Sequence, residues 1–203
     1  MQTKVRGINY ITDAEEDVKV TPGGTLIQIT QQQIWTAKGY GWQAMATAAV
    51  ASLVVRPSTV ASATFYNNTA KNFVIERVFA HNLVAAAVTD SVLWLCSHPI
   101  GMTAPTNDIT IRNSTIGLVA GTEGIFDVGA TVVDNGWFPW GASIYDLTIT
   151  TPGGVLNAEI GGRIIVPPTA AISIQTVSSV NTATFTCGLT YFSVPTSDIA
   201  LGT

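Results

Sequence analysis

Histidine and cysteine are the scarcest side chains able to do chemistry in this sequence, with two of each: His81, His98, Cys96 and Cys187. Cys96 and His98 form a C-x-H pair, but a structural zinc site needs two further ligands, and only the distant Cys187 and His81 could supply them. The spacing instead reads both cysteines as small buried hydrophobes, Cys96 sharing a strand face with Val92 and Trp94, and Cys187 with Phe185 and Leu189. A catalytic thiolate needs an electropositive, partly exposed setting, and nothing around either cysteine provides one. Paired carboxylates could support glycoside hydrolysis. Asp90, Asp108, Glu123, Asp127, Asp134 and Asp146 are the candidates, most of them in turn contexts where Asp bonds its own backbone. No spacing singles out a pair, so no catalytic residue is assigned, and no metal or other cofactor is expected.

Two other clusters stand out. Asp13, Glu15, Glu16 and Asp17 form an acidic group lacking the calcium-loop pattern D-x-[DN]-x-[DN]-G; it reads as a solvated face or as an arm contacting a basic neighbour. "DNGWFPWG", residues 134–141, packs Trp137, Phe138 and Trp140 into four positions bracketed by Gly and Pro. A loop cannot bury three such rings locally. One reading makes it an aromatic platform that anchors a neighbouring subunit or stacks on a sugar; the other makes it a plug over one end of the core. Asn67 and Asn113 match the glycosylation sequon but read as turn or strand residues.

Period-2 alternation is the dominant pattern of the elements that must position these groups. In residues 182–194, Ala183, Phe185, Cys187, Leu189 and Tyr191 point one way; Thr184, Thr186, Gly188 and Thr190 point the other, as in a half-buried strand with a threonine-covered outer face. Residues 170–177 and 143–150 alternate similarly. Residues 71–80 and 91–96 are apolar on both faces apart from Glu76 and Arg77, as in strands at the middle of a sandwich. Residues 25–30, 60–66, 109–119 and 161–166 complete a set of about eight or more strands. "TPGG" occurs at residues 21–24 and 151–154, each time as a type II turn before an apolar run. Pro167 and Pro168 lie between two strand-like runs and read as a corner, because proline inside a central strand removes a ladder hydrogen bond. Residues 41–55 carry Trp42, Met45, Ala49 and Leu53 at helical spacing, opposed by Thr47, Val50, Val54 and Val55. Many short strands with Gly/Pro turns predict an all-β fold, a single jelly-roll-like antiparallel β-sandwich over residues 23–203 preceded by an extended N-terminal arm, residues 1–22.

Composition narrows the partners. Charged residues make up 11% of the chain, against about 25% in ordinary soluble domains. Thr, Ser, Asn and Gly take their place. Such a hydroxyl-rich surface suits a protein covered by its neighbours or one that works outside the cell. A net charge of −4 with nine scattered Lys and Arg argues against a grip on nucleic acid. The N-terminal segment has no apolar stretch of the secretory kind. The longest small-apolar run, residues 44–55, falls short of the roughly 20 residues that span a bilayer. Synthesis in the cytoplasm without membrane insertion is therefore expected.

Two segments carry a family resemblance. "TFYNNTAKNFVIERVFAHN" (residues 64–82) is a strand, an Asn/Thr turn and a long strand; "GGRIIVPPTAAISIQTVSSVNTATFTCGLTYFSVP" (residues 161–195) is a strand, the proline corner, a Ser/Asn turn and a last long strand. Together, over about a quarter of the chain, they resemble the jelly-roll structural proteins of bacterial viruses, of the capsid-decoration, minor-capsid and head-fibre class. The resemblance implies a homo-oligomer, commonly a trimer, located in the virion and assembled in the host cytoplasm. It also implies function through contact with its own copies and with the major capsid protein or other virion proteins, without catalysis. The proposed contact elements are the arm, with Asp13, Glu15, Glu16 and Asp17, and the segment of Trp137, Phe138 and Trp140. The alternative is a carbohydrate- or receptor-binding β-sandwich module that uses Trp137 and Trp140 against a glycan.

Overall fold

A computed structural model describes residues 6–8, 15–17, 30–84, 88–115, 117, 121, 123–133, 136–147, 155–199 and 201. In chain order the elements are β1 (Arg6–Ile8), β2 (Glu15–Asp17), α1 (Gln31–Ala37), β3 (Gly41–Met45), β4 (Val50–Ala51), β5 (Ala63–Tyr66), β6 (Asn72–Val84), β7 (Val88–His98), β8 (Arg112–Asn113), β9 (Ile125–Val128), β10 (Trp137–Leu147), β11 (Val155–Val166), β12 (Ala171–Ser178) and β13 (Thr184–Val194). β1 and β2 pair with each other. The rest form two antiparallel sheets packed as a sandwich, one ordered β10-β7-β12-β5-β9 and the other β11-β6-β13-β3-β8, with β4 on β13.

The pairing is nested. Taking the principal strands β3, β5, β6, β7, β10, β11, β12 and β13 in order, the first pairs with the last, the second with the seventh, the third with the sixth and the fourth with the fifth. Successive pairs alternate between the two sheets, and β6–β13 and β7–β12 join them within each sheet. The chain is thus one long hairpin rolled over itself.

The inner faces of both sheets meet in one core. Ala183, Phe185, Cys187, Leu189 and Tyr191 all lie in it, as their alternation predicts, opposite Phe65, Ile172 and Ile174. Phe65, Phe73 and Tyr191 pack ring to ring at its centre, with centroids 4.6–5.4 Å apart. The other face of β13 is not an open threonine surface: Thr186 is 3% exposed, and the Phe79 ring lies over Gly188. β13 is central, paired on both sides, so its outer face is covered as well.

The proline corner is where the sequence puts it. Val166 ends β11 in one sheet and Ala171 begins β12 in the other. The Ala170 amide donates to the Pro167 carbonyl at 3.2 Å. Thr169 carries a positive φ of 64°, as the third position of a type II turn requires. Asn67, fully buried, locks the corner. Its Nδ2 donates to the carbonyls of Val166 and Lys71, both at 2.8 Å, and its Oδ1 accepts from the Thr69 amide and hydroxyl.

Other segments are settled by the structure or need correction. Residues 41–55, whose pattern left helix and strand both open, are not helical: they form β3 and the short β4, with Ala44 and Ala46 buried and Gln43, Met45 and Thr47 exposed. Period-2 burial and the β-branched residues outweigh four helically spaced apolar ones. The helix is α1, opened by a capping box in which the Thr30 hydroxyl accepts from the Gln33 amide and the Gln33 side chain accepts from the Thr30 amide. It sets Trp35 against Phe192, Val74 and Val194 on the outer face of the six-stranded sheet. Among the described residues of 109–119 only Arg112–Asn113 pair as a strand, and β9 is too short to show a period in the sequence. Residues 25–29 and both "TPGG" turns lie outside the described residues.

Candidate interaction surface

The aromatic segment is not a loop. Gly136, at φ 100°, releases the chain into β10, whose first residues are Trp137, Phe138, Pro139 and Trp140. Strand alternation then sends consecutive rings to different surroundings. Trp137, 3% exposed, packs on Cys96, Ala61 and Val132 on the outer face of the five-stranded sheet, and its indole N–H donates to the Ser58 carbonyl at 2.9 Å. Trp137 is therefore a plug, not a platform. Phe138 is 60% exposed, and Trp140 sits at the surface with the Arg163 guanidinium of β11 5.6 Å from its ring. A bulge between Pro139 and Gly141 turns Trp140 out of register.

Among the described residues β10 is the outermost strand of its sheet, an edge of the kind to which a further strand can add. Apolar side chains are exposed elsewhere on the fold too: Val60 (bridged to Thr131), Val133 and Ile100. A cleft of about 390 Å³ opens at Val133, lined also by His98, Met102, Thr131 and Val132 among others. Exposed aromatic side chains at a strand edge are the chemistry of a protein contact.

The acidic cluster divides. Glu15, Glu16 and Asp17 make up β2, opposite Ile8, Gly7 and Arg6 of β1, while Asp13 lies outside the described residues. The two cysteines are free and buried, Cys187 in the main core and Cys96 in the satellite cluster under Trp137, so they belong to opposite sheets. Burial pushes the Cys187 thiol up to about 12, which keeps it protonated and inert. Among the described residues, no three His, Cys, Asp or Glu side chains converge on a metal-sized site.

The structure brings together titratable groups that spacing could not. Asp108 and Asp127 bring their carboxyls together; burial first, and then the interaction with the Asp108 carboxyl, raise the Asp127 pKa. Backbone amides of Thr106 and Val128 donate to Asp127 and Asp108, so the pair pins the 104–111 segment to β9. Glu123 receives Lys71 Nζ at 2.6 Å and the Ser193 hydroxyl at 2.5 Å, while its backbone carbonyl accepts from the Tyr191 hydroxyl. Burial, and secondarily the Glu123 charge, raise the Tyr191 pKa. His98 Nε2 lies 2.7 Å from Ser173 Oγ, which lies 2.9 Å from Thr64 Oγ1. Although a His–Ser contact is the start of a nucleophilic pair, Ser173 is fully buried in mid-strand between β5 and β7 and opens to no substrate. Each of these groups ties strands or loops together.

No protein-family model matches the chain, and no curated protein or solved structure matches it. The surface itself therefore carries the functional reading.

Proposed function

We propose that this chain is a non-enzymatic structural protein of a virus particle, a jelly roll that works by contact with its own copies and with other proteins of the shell. The nested pairing of eight strands across two sheets supports the jelly-roll assignment. The segments resembling bacterial-virus structural proteins support the virion setting: residues 64–82 span β5, its turn and most of β6, and residues 161–195 include the corner and β13. The observation that carries the contact function is the edge strand β10, which presents Phe138 and Trp140 to solvent. So sparsely charged a chain has little repulsion to keep copies apart once that apolar surface meets its complement.

Size-exclusion chromatography with light scattering tests this reading. The expected result is a symmetric oligomer that also binds assembled capsids, dissociated to folded monomer in Phe138→Ser with Trp140→Ser. A dilute wild-type monomer that fails to bind capsids would overturn it. Glycan binding lost in that double variant, with the oligomer intact, would favour the carbohydrate module.

A further inference from the structure

The outer face of the six-stranded sheet bears a polar row set by ladder register. Thr190 on β13 is the partner of Arg77 on β6 and of Gln43 on β3, and Gln43 is the partner of Arg112 on β8. Three inter-strand steps of ~4.8 Å make the row roughly 14 Å long. Its four side chains line one groove of about 440 Å³, with Phe79 and Met45 in the apolar part of the lining. Gln43, Arg77 and Arg112 are exposed, and Thr190 is half-buried. The Arg77 guanidinium lies 5.1 Å from the Phe79 ring, and that ring rests over Gly188, where a Cβ would overlap it. Arg77 is thereby held against the sheet, with less side-chain freedom to lose when a ligand arrives.

The make-up of this groove selects its ligand. Its charges balance: Asp108 is in the lining, and Glu159 on β11 is the ladder partner of Arg77, so two acids accompany the two arginines. A polyanion gains no net attraction there. An extended peptide added as a strand needs open backbone groups, yet β6, β13 and β3 are each paired on both sides. Recognition therefore runs through side chains. The guanidiniums donate, the carboxylates accept, and the Gln43 amide and Thr190 hydroxyl do both. A ligand that meets donors and acceptors in one row must carry groups that do both, as hydroxyls do, together with C–H surface for Phe79 and Met45. Those are the properties of a sugar. We propose that the groove binds a short uncharged oligosaccharide, whose successive hydroxyls hydrogen-bond Arg77, Thr190, Gln43 and Arg112. The site lies on the opposite sheet from Phe138 and Trp140. It is a second function beside the subunit contact proposed above, and neither depends on the other.

An array of neutral, sialylated and sulfated oligosaccharides tests it, followed by calorimetric titration of the neutral oligosaccharide that binds best. The wild type is expected to bind neutral glycans in preference to acidic ones. Gln43→Ala with Arg112→Ala removes two of the four polar partners and is expected to weaken that binding roughly tenfold or more, with the oligomer unchanged. Phe138→Ser with Trp140→Ser is expected to keep the same affinity per site. No neutral ligand on the array, or binding to acidic glycans alone, would overturn the proposal. So would an affinity left unchanged by Gln43→Ala with Arg112→Ala. Binding lost in Phe138→Ser with Trp140→Ser would place the glycan on β10 and overturn it too. Should the groove variant unfold, backbone amide shifts of the wild type on titration decide: shifts centred on Gln43, Arg77, Arg112 and Thr190 support the site, and shifts elsewhere sink it. An oligomer that binds no glycan leaves the structural function standing, whereas a monomer that binds the glycan and no capsid removes that function and leaves the groove.

Discussion

Replacing Asn67 with alanine tests whether the proline corner holds the sandwich together. The wild-type carboxamide makes four hydrogen bonds from a fully buried position. The two donated by Nδ2 reach carbonyls in different segments, Lys71 and Val166. Each is worth ~0.5–1.5 kcal/mol net, or more where the carbonyl stays buried without its partner. The two accepted from Thr69 are local to the turn, share one oxygen, and add on the order of 0.5 kcal/mol together. The sum is about 3 kcal/mol, which for a chain of this length lowers Tm by roughly 6–12 °C. Urea unfolding followed by tryptophan fluorescence measures it, with an unchanged m-value showing that the same structure is being lost. Asn67→Asp keeps the oxygen that accepts from Thr69 and loses both donated bonds, so it should cost at least as much as the cross-segment pair alone. A loss below ~1 kcal/mol for Asn67→Ala, at constant m, would refute the view that this side chain fixes the crossing from β11 to β12.

Gly188→Ala places a Cβ inside contact distance of the Phe79 ring and 2.8 Å from the Ala44 carbonyl, and the second contact is with backbone that cannot swing away. A destabilisation of about 2–4 kcal/mol is expected, and a near-neutral result in thermal unfolding would show that β3 and β13 are not held at this distance. Burial lowers the His98 pKa from 6.5, so the unfolded chain takes up the proton first; stability is level above that pH and declines as pH falls through and below it. His98→Gln is expected to flatten the profile of Tm against pH from neutral to mildly acidic conditions; an unchanged slope would remove His98 as its cause. Asp127 has the opposite sign: its raised pKa means the folded state favours the protonated carboxyl, so its contribution is full below 3.8 and is lost as pH rises through the higher folded value. Asp127→Asn, which keeps an acceptor and adds a donor toward Asp108, is expected to raise stability at neutral pH by roughly 0.5 kcal/mol, a small gain because solvent screens this largely exposed pair. A drop in Tm would contradict this sign.

What could be read along the chain was whatever repeats or breaks locally. Period-2 alternation over residues 182–194 determined which side chains of β13 enter the core, because each successive Cβ points to the opposite face. Pro167 and Pro168 determined a corner, since proline cannot donate within a ladder. The lone cysteines between apolar neighbours read as buried hydrophobes, and both are buried. The same logic missed the helix, because Thr30, the first residue of the Thr30–Gln33 capping box, ended a stretch read as a strand. It also gave the three aromatic residues of residues 137–140 one fate, although strand geometry gives them different ones.

Alternation says which face a residue occupies and nothing about which strand lies beside it, for the neighbour is chosen by nested pairing over the whole chain. Gln43, Arg77, Arg112 and Thr190 are far apart in sequence and adjacent across four strands. Asp108 meets Asp127, and His98 meets Ser173, for the same reason. The sequence by itself determined the β class, the inward faces and the corner, all consequences of backbone stereochemistry between near neighbours. The tertiary structure alone decided which charges and rings share a surface, because that depends on strand register between segments that only the closed sandwich brings together.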